Sequence, residues 1–266
     1  MNTVWSIFNG TIVNVITVVI GSTIGLVLSA NIPDKFRRTI LNCLGLVTIT
    51  IGIDAAVLGM VDASRKHSDK IPTYGARLAM VMIGSLIIGA IIGSYLRLHD
   101  RIEGLGRWFH TKYGGPQGEL GSAARFAEGY LSASVIFCIG PLTVLGCLNN
   151  GASANPGLLY IKSFLDGFCS IALAASLGVG VLFSCVTVLV LQCTLSLAAY
   201  FAAGVIPDVS LSLMNAVGGL VLLATSLMIL ELKKIPVADL VPGIILPPIV
   251  VWAVEKISPG LLLVGS

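Results

Sequence analysis

Three charged residues stand where charge is costly. Asp54, Lys162 and Asp166 each fall deep inside a stretch that is otherwise apolar. A charge at the centre of a bilayer costs about 2.5–3.5 kcal/mol on insertion scales, so such residues face a partner, a cavity or a pathway. Lys162 and Asp166 are four apart and share one helical face, about a turn from each other. Ser170 continues that face. Two chemistries fit the pair: it neutralises itself and pins the bundle, or its charges contact an ion or a polar solute. Asp54, with Thr50 a turn before it, has no oppositely charged neighbour on its own segment. Three placements suit it: a site carboxylate open to proton or cation coupling, a partner for Lys162 across the bundle, or a position nearer the membrane boundary.

A second kind of chemistry is available at Gly140-Pro141. Proline lacks the N–H and crowds the preceding turn, and glycine lets the backbone break. Backbone groups freed at mid-membrane survive only against protein or a water-lined cavity, and broken helices of transporters bind ions and solutes with them. An ordinary proline kink is the competing reading. Asn14, an amide inside the first apolar stretch, also needs partners there. Asn149-Asn150-Gly151 reads as a loop.

The elements that must hold these residues follow from composition. Of 266 residues 56% are hydrophobic and 11% charged, with mean hydropathy +0.96. Soluble domains carry about 25% charge. Asp, Glu, Lys and Arg are absent before Asp34, between Arg77 and Arg97, between Glu128 and Lys162, and between Asp166 and Asp208, gaps of 33, 19, 33 and 41 residues. Roughly 20 apolar residues span a bilayer as a helix. The chain is therefore expected to be an all-α, polytopic transmembrane helical bundle forming a single integral membrane domain over 1–266. Spans are placed near 11–30, 44–61, 78–97, 129–149, 157–178, 180–203, 211–231 and 240–257. The count is seven to eight. The last span is weakened by Pro242, Pro247 and Pro248, a second candidate break, and the longest gap turns back at Gly178-Val179-Gly180.

The N-terminal residues lack the basic region of a signal peptide and lead into the first span. Lys and Arg are concentrated in the first, third and seventh loops, which places both termini outside the cytoplasm. The four basic residues of the second loop, Arg65, Lys66, Lys70 and Arg77, blur that bias. Residues 33–41 and 98–110 read as short amphipathic helices lying on the membrane surface, with Trp108 as an anchor or a packing residue. Small residues four apart, Gly21-Gly25-Ser29 and Ser85-Gly89-Gly93, make grooves for close helix approach. These serve internal packing or, alternatively, a homodimer.

Ile32-Pro33-Asp34 with Gly45-Leu46-Val47 recurs, at an offset of 174, as Ile206-Pro207-Asp208 with Gly219-Leu220-Val221. Five spans separate the copies, so they run in opposite directions. That is the pattern of inverted-repeat transporters, with halves 11–97 and 180–257 around a central helix pair at 129–178. Chance recurrence of common residues is the alternative.

Nucleic acid is excluded as a partner, because the basic residues lie in short loops rather than on one face. The six cysteines lie in apolar stretches without CxxC spacing and read as small hydrophobes, so no metal or cofactor is expected. HExxH, GxSxG and P-loop motifs are absent, and His67, His99 and His110 all fall in loops, which argues against an enzyme.

Several segments together resemble a known family. They are Asn9-Gly10-Thr11 with Asn14 and Gly21-Ser22-x-x-Gly25, the Gly45–Ile53 run, Phe137-Cys138-x-Gly140-Pro141 followed by Gly146, and Lys162-Ser163-x-x-Asp166-Gly167. The chain is similar to the YqgA-like bacterial membrane proteins over essentially its whole length. The resemblance implies a protein of the bacterial cytoplasmic membrane, loosely grouped with membrane transport proteins. It supplies no substrate, cofactor or mechanism.

From the residues, the leading expectation is a transporter of a small polar solute or ion. Asp54 and Asp166 would be ion or proton ligands and Lys162 a counter-charge or anion contact. Freed backbone at Gly140-Pro141 would line the path, with Thr50, Ser170 and Asn14 beside it. A passive ion channel and a non-transporting scaffold or assembly subunit are the alternatives.

Overall fold

The computed structural model describes residues 3–28, 34–65, 73–101, 104, 122–138, 141–203, 206–258 and 261–262. Its helices, in chain order, are α1 (Thr3–Val27), α2 (Asp34–Arg65), α3 (Tyr74–Tyr95), α4 (Ser122–Cys138), α5 (Pro141–Ser153), α6 (Gly157–Leu177), α7 (Gly180–Ala203), α8 (Asp208–Ile229), α9 (Val237–Leu240) and α10 (Pro242–Ile257). Among the described residues the structure is helical throughout, and seven segments are each long and apolar enough to cross a membrane. This is a polytopic helical bundle.

The boundaries differ from the sequence reading where nothing stops a helix. α1 runs from Thr3 to Val27, a stretch in which no charge or proline interrupts it. Residues 33–41 do not make a separate surface helix. From Asp34 the chain runs as helix without interruption to Arg65, since no glycine or proline occurs before Gly45. The segment 98–110, including Trp108, lies outside the described residues apart from 98–101 and 104. Pro247 and Pro248 do not break the last helix, which continues to Ile257. The turn at Gly178 is where it was expected. With φ of 81° it adopts a left-handed conformation that glycine takes without penalty, and α7 starts two residues later.

The chain divides into two compact units with interleaved sequence, residues 1–43 with 100–203 and residues 44–99 with 204–266. In the first unit α1 lies along α6, and contacts advance together: Gly10 meets Leu159, Gly21 meets Gly167 and Ser170, Gly25 meets Ile171 and Ala174. The two helices are parallel. An added Cβ at Gly21 or Gly25 would overlap a carbonyl of α6, so the Gly21-Gly25 groove is filled from within the chain. α6 and α7 are joined by a tight turn and run antiparallel.

In the second unit α2 crosses α8 antiparallel. Gly45 meets Leu230, Gly52 meets Leu223 and Gly59 meets Ala216, the last with backbone atoms about 2.6 Å from an added Cβ. α3 crosses the α9–α10 segment, Gly89 against Gly243 and Gly93 against Asp239, which fills the Ser85-Gly89-Gly93 groove. The Asp239 carboxylate accepts the His99 amide at 2.9 Å, and Tyr74 Oη donates to the Leu262 carbonyl at 2.8 Å. These bonds tie both ends of α3 to the C-terminal segment.

The halves 11–97 and 180–257 each supply one helix to the first unit, α1 and α7, and the rest to the second. α1 packs on α7, α2 on α8 and α3 on α10.

Candidate functional site

The polar core of the first unit is assembled by four apolar segments that turn their few polar side chains inward. α6 presents Lys162, Ser163, Asp166 and Ser170 on one buried face, together with Leu159 and Ala174. The spacing of three and four residues leaves Phe164 and Phe168 on the outer face, exposed in the way lipid-facing residues are. Lys162 is 4% and Asp166 8% exposed. The Lys162 ammonium donates to Asp166 Oδ2. Asn14, fully buried on α1, donates from Nδ2 to the same oxygen at 3.0 Å. The parallel packing of α1 on α6, enforced by Gly10, Gly21 and Gly25, places that amide level with the carboxylate.

This is a pair that water cannot solvate. Removing one partner of a buried pair costs about 3–5 kcal/mol, while replacing both with apolar groups is often neutral. No other Asp, Glu, Lys or Arg occurs between Glu128 and Asp208 or before Asp34. The membrane-buried core of the first unit is thus charge-balanced by one ammonium and one carboxylate.

The break in the fourth span borders the pair. α4 and α5 meet at 59°, and the Cys138 thiol at the end of α4 lies within electrostatic range of both Lys162 and Asp166. Thr143 Oγ1 reaches back over the break to the Phe137 carbonyl at 3.1 Å, satisfying an acceptor that the interrupted helix leaves free. Pro141 opens α5, where its missing N–H costs nothing, and Gly140 lies outside the described residues.

The broken pair is a crossing and not a loop that re-enters. At one end Phe126 and Gly129 abut Gly180 and Val181, the first turn of α7, and at the other Gly151 abuts Ser196 and Ala199. Tyr130 and Ser134 hydrogen-bond to Thr187 between these ends, at 2.7 and 3.1 Å. From Gly180 to Ser196 an α-helix rises about 24 Å, most of a hydrocarbon core of ~30 Å. α4 and α5 follow α7 in the same direction throughout. With the seven unbroken spans this makes eight crossings among the described residues.

Further buried polar groups of the first unit were not selected by sequence reasoning. Asn150 is fully buried in α5 and donates to the Ile7 carbonyl at 2.6 Å, so Asn149-Asn150-Gly151 is helix rather than loop. Turn-forming residue types misled the reading there; burial against α1 outweighs them. Gln192, in α7, is also fully buried. Its amide nitrogen and oxygen, the Asn14 and Asn150 amide oxygens, and Thr11 Oγ1 have no hydrogen-bond partner. Buried polar groups are paired in more than nine cases of ten, and an unpaired one costs about 1–3 kcal/mol. The signal for Gln192 was present, a lone carboxamide in a 41-residue gap without charge.

Ser170 Oγ donates to the Gly167 carbonyl of its own helix at 2.7 Å and packs on Gly21. Asp54 and Thr50 belong to the second unit and are exposed, and Thr50 Oγ1 donates to the Leu46 carbonyl at 3.2 Å. The structure thus brings together Asn14, Lys162 and Asp166. Among the described residues no three His, Cys, Asp or Glu side chains converge as a metal site would require.

Seven helices among the described residues long and apolar enough to cross a membrane, besides the bent α4–α5 pair, define an integral membrane protein. The chain matches the family described as protein of unknown function DUF554 across residues 9–252, and belongs to it. It is 27% identical over 246 residues to the uncharacterized membrane protein YdfK of Bacillus subtilis, covering 92% of this chain and 96% of that one. It is 30% identical over 240 residues to the uncharacterized protein YqgA of Escherichia coli, covering 89% and 93%. No solved structure matches it.

Proposed function

We propose that the protein is a carrier for a small polar solute or ion in the bacterial cytoplasmic membrane, and not an enzyme. The observation that carries this reading is the buried Lys162–Asp166 pair with Asn14, on a helix that packs against both arms of a helix break, in a unit whose buried amides keep atoms without partners. A pair that served only to lock helices would have its surroundings satisfied. Here Gln192 and the free oxygens of Asn14 and Asn150 supply hydrogen-bonding capacity at a depth where each unpaired group is expensive.

Helix directions support an inverted repeat. α2 and α8 both open at the aspartate of a Pro-Asp step, and each of the pairs α1/α7, α2/α8 and α3/α10 is antiparallel. Carriers built this way place their site beside discontinuous helices, and α6, which carries Lys162 and Asp166, packs against both α4 and α5. The near-complete burial of the pair supports an occluding carrier over an open pore. The test is flux: full-length protein reconstituted in liposomes, challenged with small polar solutes and ions, should move at least one class faster than empty vesicles. Its absence across the panel, with folded protein verified, would refute the reading in favour of a scaffold role.

A further inference from the structure

We infer that the site in the first unit takes a small zwitterion, a solute carrying one ammonium and one carboxylate in the manner of a free amino acid. This rests on the carrier reading and adds the solute's chemistry. Charge balance comes first. Within the membrane-buried part of this unit the only formal charges are those of Lys162 and Asp166, and they are spent on each other. An entering metal cation would find one carboxylate, already held by an ammonium and an amide, and no second acid. Hard cations demand six or more oxygen ligands. An entering simple anion would find one ammonium, already held. Either ion could bind only by pulling the pair apart and leaving one charge uncompensated in a dry interior, the situation that costs several kcal/mol.

A zwitterion has no such cost, because it replaces both contacts at once. Its carboxylate takes the Lys162 ammonium, and its own ammonium takes Asp166. The surrounding groups are of the kinds this exchange needs. An ammonium has three donors, of which Lys162 gives one to Asp166. Asn14 directs its N–H to Asp166 and keeps a free buried acceptor oxygen for a second ammonium. In the same unit Gln192 is fully buried with both amide atoms unpartnered. The two charged side chains stand one helical turn apart, roughly 6 Å along the axis. Opened toward the ligand, they can grip the two ends of a compact molecule. A self-neutralised pair with an unpartnered buried amide oxygen beside it therefore favours a ligand that is neutral in total and charged at both ends.

The experiment is thermal unfolding of the purified full-length protein in detergent, with glycine and other free amino acids, their amides and methyl esters, sodium, potassium, chloride and urea as probes. A ligand that binds only the folded state raises Tm with concentration. The expected result is a rise with one or more free amino acids, and none with their amides or esters, which lack one of the charges, nor with the simple ions or urea. Lys162→Met combined with Asp166→Leu keeps the interior neutral and should fold while losing the response. Lys162→Arg should retain part of it, and Asp54→Asn all of it. Stabilisation by simple ions or urea with none by zwitterions, an equal response in the double variant, or no response to any probe would overturn the inference. The outcome is separable from the carrier reading: amino-acid binding without flux sinks only the carrier, and flux of another solute without amino-acid binding sinks only this assignment.

Discussion

The Lys162–Asp166 pair makes an unusual energetic prediction, because its two single variants and its double variant should not add. Asp166→Leu leaves the Lys162 ammonium, 4% exposed, without a counter-charge. The expected loss is about 3–5 kcal/mol, the range for breaking a buried pair from one side. Lys162→Met leaves Asp166 with the Asn14 amide still donating to it. A hydrogen bond to a charged group contributes roughly 1.5–3 kcal/mol, so this loss should be the smaller of the two. Lys162→Met with Asp166→Leu removes both charges and substitutes apolar groups of similar bulk, leaving only the Asn14 Nδ2 donor unpaired, and should cost about 1–3 kcal/mol. Denaturant unfolding in mixed micelles, followed by tryptophan fluorescence, would close the double-mutant cycle. The coupling should reach about 3 kcal/mol, at the upper end for residues in contact. Single losses below about 1 kcal/mol each, summing in the double variant, would show that the charges escape to water and would refute the buried pair.

The remaining predictions concern packing and topology. Gly21→Val drives a branched side chain into the Gly167 carbonyl and should cost about 1–3 kcal/mol or more, whereas Gly84→Ala, with nothing within 4 Å of the added carbon, should change stability by less than about 1 kcal/mol; thermal unfolding compares them. Thr143→Val removes the bond to the Phe137 carbonyl and should lower stability by about 1–3 kcal/mol, as a buried acceptor is left bare. Ala154→Cys, in a cysteine-free background, should react with an impermeant maleimide only from outside the cell. If α4 and α5 re-entered instead of crossing, labelling would come from the cytoplasmic side.

Much of the architecture was legible because charge is excluded from a bilayer: the charge-free gaps fall on α1, α3, α4 with α5, and α6 with α7. Lys162 and Asp166 could be paired on paper because helical spacing of four fixes their mutual position. Asn14 stood out as an amide within an apolar run. What remained hidden depended on facing and direction. Asp54 sits at mid-segment by count, yet the face of α2 that carries it is exposed, and no window average reports which way a side chain turns. The Gly-Pro step signalled a break, but only packing of both flanking helices along α7 shows that the chain continues across. Asn150 looked like part of a turn because Asn-Asn-Gly favours turns in water. In the bilayer the backbone must satisfy itself, and the helix persists.

The central claim is that the buried pair is held for a passing solute. Light-scattering swelling of liposomes carrying the full-length protein, under an inward gradient of small polar solutes including free amino acids, tests it most directly against the charge-neutral Lys162→Met/Asp166→Leu variant. Solute-dependent swelling in the parent, abolished in the variant although it remains folded, is the predicted result. Equal swelling in both, or none in either, would contradict it.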